Sequence, residues 1–435
     1  MLARGKATCQ DGGMGAQRHR STAITRRGLI GGAGACALAG CTSRGGASPL
    51  RFWATSYEGD YSPLLMPAFT QATGLEVEVQ SIPSTAAHEK LLTAHAGGAF
   101  PDVLMLPATW IAEFAMIGAI VPVPQPALID DCVPGVLAPT RVGGRSYAVP
   151  WSVAPMVQFY RRDLLAAAGY DAPPQDWPAW RRMARALKAR RPDDFVVLTL
   201  LNWPDTLFSL LFQTGAQLLR DRDTRSNFRT PEAVEAFAFY RSLFDEGLAP
   251  RALSTEVQDP VAAFAQGFFA IWPTWPTTML DFHRRAAELP PQRWATARLA
   301  GPRGPAAAAC LNTTVCVSAT TPRPAAAWAL VRHLTSAASE LRFQRLIGNL
   351  PARASAWAAP QLAGAIIAPF AAQLRDPGIP PPVVEWERIK VEVQLVAERI
   401  VRGLLTIEAG LAAIDTRVDG ILAKRRALVE AGRLA

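Results

Sequence analysis

The sequence predicts an α/β fold, and three observations carry that reading. Residues 50–118 alternate extended apolar segments with helical ones in quick succession. Two of those segments have the patterns of sheet strands: Leu75-Glu76-Val77-Glu78-Val79-Gln80 alternates apolar and polar, and Asp102-Val103-Leu104-Met105-Leu106 is an unbroken apolar run. The same strand–helix alternation resumes after Pro150. Such alternation places a largely parallel sheet between helical layers.

The first forty residues stand outside this pattern. Arg26-Arg27 precede an apolar Gly/Ala-rich run, Leu29 to Leu38, that is too short for the ~20 residues of a membrane span. A basic region, a short apolar region and small residues before a cleavage point make an export signal rather than part of a fold. The arginine pair resembles a twin-arginine signal, and Leu38-Ala39-Gly40-Cys41 resembles a bacterial lipobox. On that reading residues 1–40 are removed, Cys41 is lipidated, and 41–49 tether the chain to a membrane outside the cytoplasm. The competing reading is a buried amphipathic helix with an incidental cysteine, but the run is not amphipathic. Much of the formal charge of +9 lies in this leader, in Arg4, Lys6, Arg18, Arg20, Arg26 and Arg27. The remaining arginine pairs are spaced along helices and form no basic stripe, so nucleic acid is not an expected partner.

The mature part reads in order as follows. Leu50-Arg51-Phe52-Trp53 opens the sheet. A helix from Tyr61 to Thr73 stops at Gly74, and another around 86–96 stops at Gly97-Gly98. Thr109 is the expected cap of a helix that ends at Gly118. Gly143-Gly144 turns the chain into an extended 146–151. Gln158 to Tyr160 is extended, and 162–168 and 177–190 are helical. Phe195 to Leu201 reads as a buried strand. Thr230-Pro231 starts a helix that buries Phe237, Tyr240 and Phe244 and stops at Gly247. Gly267 to Ile271 is extended and runs into Trp272-Pro273-Thr274-Trp275-Pro276. A strand at 310–318, helices at 325–335 and to about 347, a long amphipathic helix from Val384 to about Arg402 and a final helix complete the chain. Of six cysteines, Cys132, Cys310 and Cys316 lie beyond the lipobox. Cys310 and Cys316 on one strand stand ~20 Å apart, too far for a bridge without a bend.

Ligands of such sheets bind beyond the carboxyl ends of the strands. That rule selects 54–58, with Tyr57 and Glu58, and 107–110, with Thr109 and Trp110. Twelve tryptophans are present. Trp177, Trp180 and Trp328 fall in helices and read as core. Trp110, Trp151, Trp203, Trp272 and Trp275 fall at strand ends, where an aromatic face covers the C–H face of a sugar while amides, carboxylates and arginine bond its hydroxyls. The polar candidates are Glu58, Thr109, Asp205, Asn312, Asn349 and Arg353; ordinary turn and capping chemistry is their alternative role. Arg353 leaves room for a phosphorylated polyol. Catalytic elbows, His-Glu-x-x-His and a P-loop are missing from the sequence. His88 and His95 lack an evident third ligand, so neither a metal nor a cofactor is expected.

Phe52-Trp53, Phe69 to Gly74, Val77 and Val79 resemble the "FE…TGI.V.V" opening of extracellular solute-binding proteins. Gly97 to Val103 resembles the family's "G..PDV" step, Gly144 to Pro150 its "G..YAVP", and Tyr160 to Gly169 its "YN.DLL…G". Trp177 matches "P.TW", Gly267 to Ile271 "F..G.AAM", and Leu350 to Arg353 "LPAR". The series is in family order, with Arg161 in place of the usual asparagine and Ile271 in place of methionine. The family is the carbohydrate-binding group that serves ABC importers, related to maltose-binding protein. The resemblance implies two α/β lobes joined by crossing segments, with ligand in the cleft and hinge closure around it. By analogy 48–152 with 290–360 form one lobe and 153–289 with 361–435 the other. It implies a monomeric lipoprotein that captures a sugar or sugar-like polyol without altering it and hands it to permease subunits. It also implies that Trp272 to Pro276 supplies a stacking aromatic. A secreted carbohydrate-active enzyme and a ligand-sensing lipoprotein remain the alternatives.

Overall fold

The computed structural model describes residues 48–434. The expected export signal and the expected lipidation site, Cys41, lie outside the described residues.

The strands of 50–118 form one edge of a seven-stranded sheet. Its order is Leu350–Pro351, Val149–Pro155, Ala308–Val317, Val103–Pro107, Leu50–Thr55 and Val77–Ile82, with Pro377–Gly378 pairing on Ala308–Val317. Leu50–Thr55 runs parallel to both its neighbours, whereas Ala308–Val317 is antiparallel to Val103–Pro107 and to Val149–Pro155. Side chains on a strand alternate between faces. Leu50, Phe52, Ala54, Val103 and Met105 accordingly enter one core with Phe69, Trp328 and Phe343, and Trp53, Leu104 and Leu106 enter another with Leu91, Ile111 and Phe114. The result is a helix–sheet–helix sandwich.

A second, three-stranded antiparallel sheet has the order Ile271–Thr274, Val157–Arg161, Trp294–Ala297. Helices Trp177–Arg190, Asp205–Thr214, Pro231–Asp245, Trp386–Val401 and Ile407–Ile421 share a core beside it. The chain crosses between the sheets at Met156, which separates Val149–Pro155 from Val157–Arg161, and again between Ala297 and Ala308. These are the two lobes and crossing segments of the expected architecture. Trp294–Ala297 belongs to the second sheet, although the segment from 290 was expected with the first.

Several local expectations change. Phe195 to Leu201 is buried but not a strand; only an isolated bridge joins Val197 to Ile271. Its amides go instead to Phe268, Leu248 and Ile271 carbonyls. The strand expected at 267–271 begins at Ile271, because Gly267, at φ 81°, ends the helix Pro260–Gln266 in the left-handed region. That shift puts Trp272 inside the strand rather than in a loop. Residues 54–58 are not a loop either: the strand continues to Thr55 and the helix Ser56–Tyr61 starts at once. The C-terminal segment divides into Ile407–Ile421 and Ala423–Glu430. Cys132, Cys310 and Cys316 are free thiols.

Arg161, the departure from the family pattern, is 1% exposed. Its Nη1 donates to the Phe264 and Ala265 carbonyls at 2.6 and 2.9 Å, and its Nε and Nη2 donate to Asp163 at 2.8 and 2.7 Å. The Phe264 and Ala265 carbonyls belong to the last turn of Pro260–Gln266, where helix carbonyls run short of backbone donors; Phe264 also accepts the Gly267 amide at 3.1 Å. Burial raises the Asp163 carboxyl, but the Arg161 and Arg293 guanidiniums outweigh it and hold it at about 2.

Candidate ligand-binding site

A cavity of about 340 Å³ lies between the two lobes. One wall is the carboxyl edge of the first sheet. Thr55, Ser56 and Glu58 follow Leu50–Thr55, Pro107 to Trp110 follow Val103–Pro107, and Leu311 to Thr313 come from Ala308–Val317. The facing wall is built by Asp205, Phe208 and Phe212 on one helix and Trp386, Glu387 and Lys390 on another. Both strand-end segments selected by the rule therefore contribute to its lining.

The strand-to-helix corner that carries Glu58 is tight. Ser56 adopts φ 51°, a left-handed conformation that costs a non-glycine residue of order 1–3 kcal/mol. Gly59 is required three residues later. A Cβ there would meet Ser81 Oγ at 2.5 Å and the Ala54 carbonyl at 2.8 Å, so the helix could not sit against Val77–Ile82. The corner buries Glu58 to 8% exposure. Burial pushes its carboxyl up to about 7, against its own backbone amide and the Asn349 and Thr313 side chains, which favour the charged form. Asn349 Nδ2 donates to Glu58 Oε1 at 3.0 Å from behind the wall.

Across the cavity, burial raises the Asp205 carboxyl, Lys390 opposes that rise and Glu387 adds to it. Lys390 Nζ stands 2.8 Å from Glu387 Oε2, and Thr109 Oγ1 donates to Glu387 Oε1 at 3.2 Å, bridging the two walls. Thr109 was expected as a helix cap; Ala108–Trp110 is instead a short 3₁₀ turn with no side-chain cap. Trp110 is half-buried, its ring edge-on to His88 at 4.8 Å. His88 Nε2 is 2.6 Å from Glu113 and backs that ring. Asn312 Nδ2 donates to the Val136 carbonyl at 2.6 Å, and its Oδ1 is buried without a protein partner.

A second chamber of about 20 Å³, the size of one water, adjoins at Asp205 and is lined by Trp203, Trp272 and Trp275. The twelve residues expected in the site thus divide. Glu58, Thr109, Trp110, Asp205 and Asn312 line the main cavity; Trp203, Trp272 and Trp275 line the small chamber. Asn349 stands behind Glu58. Three lie elsewhere. Tyr57 is 48% exposed beside Tyr61. Trp151 is fully buried, stacked on Phe343 at 4.5 Å. Arg353 donates to the Thr335 and Leu128 carbonyls and pins its own loop, with its backbone amide on Glu340 Oε2 at 2.8 Å. Among the described residues no group of three His, Cys, Asp or Glu is placed to hold a metal.

The sequence profile of the family described as bacterial extracellular solute-binding protein matches residues 54–340. The chain belongs to that family. It is 36% identical to the sugar-binding protein MalE from the phytopathogen Xanthomonas citri, with a TM-score of 0.83 over 88% of this chain and 99% of that one. A binding protein of Brucella abortus is 24% identical over 414 residues, 92% of this chain and 98% of its own length. The mannitol-binding protein of Pseudomonas aeruginosa is 28% identical over 157 residues, 34% of this chain and 35% of its own.

Family membership fits the placement of the cavity between lobes. The residues that sequence reasoning missed are mainly on the second wall: Phe208, Phe212, Trp386, Glu387 and Lys390. The proline-rich run 377–382 just before Trp386 was the one signal that this helix start is held in place.

Glu58 makes a prediction about pH. A carboxyl raised above its unfolded value, near 4.5, gives stability that is complete below 4.5 and declines as pH rises to about 7. Glu58→Gln removes that decline. Urea unfolding of the ligand-free protein should show the variant gaining on wild type between pH 4.5 and 8, by about 3 kcal/mol at the upper end. Parallel pH profiles of the two proteins would contradict the burial argument.

Proposed function

We propose that the chain captures a sugar or sugar-like polyol outside the cytoplasm and delivers it, unaltered, to the permease of an ABC importer. The observation that carries this reading is the make-up of the cavity. Aromatic side chains of Trp110, Phe208 and Trp386 stand with a hydrogen-bonding set of Glu58, Thr109, Asp205, Asn312 and Glu387. That pairing suits a molecule with apolar C–H faces and a rim of hydroxyls. Lys390 is already paired with Glu387, and no arginine lines the cavity among the described residues. Such a lining offers phosphate no uncommitted cation, so an unphosphorylated sugar or polyol suits it better, and Arg353 has no part in it. The names of the Xanthomonas and Pseudomonas relatives support the same ligand class.

We also assign the lobes as 48–155 with 308–360, and 157–300 with 361–376 and 386–434, with Pro377–Gly378 pairing back on the first sheet between them. The leader's arginine pair and lipobox support export and lipidation at Cys41, which holds the monomer at a membrane surface.

A thermal-shift screen tests the ligand class. A sugar or polyol at ~100 times its Kd adds about 2.7 kcal/mol and raises Tm; the matching sugar phosphate should give no shift. A larger shift with the phosphate would overturn the charge argument.

A further inference from the structure

A separate pocket of about 520 Å³ opens between the lobes and shares no lining residue with the main cavity. One wall belongs to the first lobe. It consists of Gln344 and Arg345, in the last turn of the helix Ala337–Ile347, and of Gly348, which ends that helix at φ 83°. The facing wall belongs to the second lobe. Met279, Leu280 and His283 reach it from the helix Thr278–Arg284, and Trp294 from the start of its strand. The walls meet at Gly348, where a Cβ would stand 3.0 Å from Thr277 Cα and 3.1 Å from the Pro276 carbonyl. The polar groups of the pocket are mostly donors. Arg345 is exposed, and its guanidinium donates to Gln361 Oε1 and to no carboxylate among the described residues. Gln361 Nε2 donates to Gln344 Oε1 at 2.9 Å, which leaves the Gln344 amide nitrogen as a donor. Trp294 is 2% exposed, and its Nε1 has no hydrogen-bond partner. His283 lies against it, with ring centroids 6.2 Å apart. No aspartate or glutamate lines the pocket.

The volume is that of a small-molecule site, and the combination of an apolar wall with a few convergent polar groups is typical of one. The charge decides the class of ligand. A cation would find no counter-charge here, whereas the main cavity offers Glu58, Asp205 and Glu387. An anion would find a guanidinium that no carboxylate neutralises, and a guanidinium binds a carboxylate through two parallel hydrogen bonds. We propose that this pocket is a second ligand site, for a small organic anion whose carboxylate pairs with Arg345 and whose apolar body lies on Met279, Leu280 and Trp294. Arg345 stands on one lobe and the apolar wall on the other. An anion held this way touches both and fixes their spacing at the Gly348 contact. The site stands apart from the solute-binding reading, since it uses none of the residues assigned to the sugar or polyol.

The test uses the full chain, with 2-naphthoate as the probe and 2-naphthalenemethanol as its neutral counterpart. Titration calorimetry should show saturable binding of the acid at a single site and at least ~10-fold weaker binding of the alcohol. Arg345→Met should weaken naphthoate at least ~10-fold, and Arg345→Lys should weaken it less. Both variants should keep wild-type Tm, because the side chain is exposed. Naphthoate binding to wild type should weaken at high salt. Hydrogen exchange should slow in 278–294 and in 344–348 together when naphthoate is bound. Equal affinity for acid and alcohol would overturn the proposal, since it would leave only an apolar groove. Undiminished binding by Arg345→Met, or no binding of naphthoate to wild type, would overturn it as well. So would protection confined to one lobe, or protection at 107–110 and 386–390, which would put the acid in the main cavity. Failure of the solute-binding reading would leave every one of these results unchanged, because none involves a sugar or polyol.

Discussion

Trp272→Ala will unfold early, at a cost of about 3–5 kcal/mol, and will still bind ligand at low temperature. The residue sits inside the strand Ile271–Thr274, paired with Phe159 of the neighbouring strand. Its ring is 5% exposed, edge-on to Phe269 at 5.9 Å and tilted against Phe264 and Phe282 at 6.5 and 6.3 Å. Deleting it empties the middle of an aromatic cluster, and the cluster cannot collapse because the strand holds its backbone apart. Trp275→Ala should cost far less. That ring is half-buried and packs against the small group of Met156, Leu299 and Ala308 at the crossing between lobes. Urea unfolding of both variants, with binding measured at low temperature, separates the roles. Normal stability with lost binding in Trp272→Ala would restore the stacking role that the family resemblance implies.

Arg161→Ala should be comparably destabilising, by about 3–5 kcal/mol. The substitution strips donors from the Phe264 and Ala265 carbonyls and leaves Asp163 with Arg293 alone. Arg161→Met keeps most of the volume and none of the four hydrogen bonds. It should recover only the packing fraction of the loss. Arg161→Asn, the residue the family pattern carries, should recover little, because its amide is too short to reach those carbonyls. Chemical denaturation of the three variants gives the ranking. Near-wild-type stability in Arg161→Met would show that the buried guanidinium is replaceable by an isosteric apolar chain.

The strand-end rule found the first wall of the cavity because that wall is local. Glu58 and Trp110 follow directly from strands whose patterns are strong in sequence, and Asp205 follows a buried apolar run. The second wall was not legible. Trp386, Glu387 and Lys390 stand at the start of a helix some 280 residues from Trp110, and no local signal states which lobe that helix faces. Arg353 and Trp151 show the converse failure. Arg353 closes a family motif and Trp151 directly follows one, yet a motif is equally well explained by a pinned loop or a stacked core ring. Only the Glu340 and Phe343 side chains, brought in by the helix Ala337–Ile347, decide between these roles. The strand expected at 195–201 failed for a related reason. Its apolar run is truly buried, but its amides are shared between two segments, 248–252 and 268–271, rather than given to one neighbouring strand.

Titration calorimetry with recovery of the solute tests the central claim most directly. Purified residues 41–435 are titrated with the sugar or polyol that gives the largest thermal shift, and the solute is then analysed by mass spectrometry. A single site should be found, the solute should come back unchanged, and Trp110→Ala should weaken binding by ~1–3 kcal/mol with little change in ligand-free stability. Time-dependent loss of the solute with formation of a product, or binding that ignores Trp110, would contradict capture in this cavity.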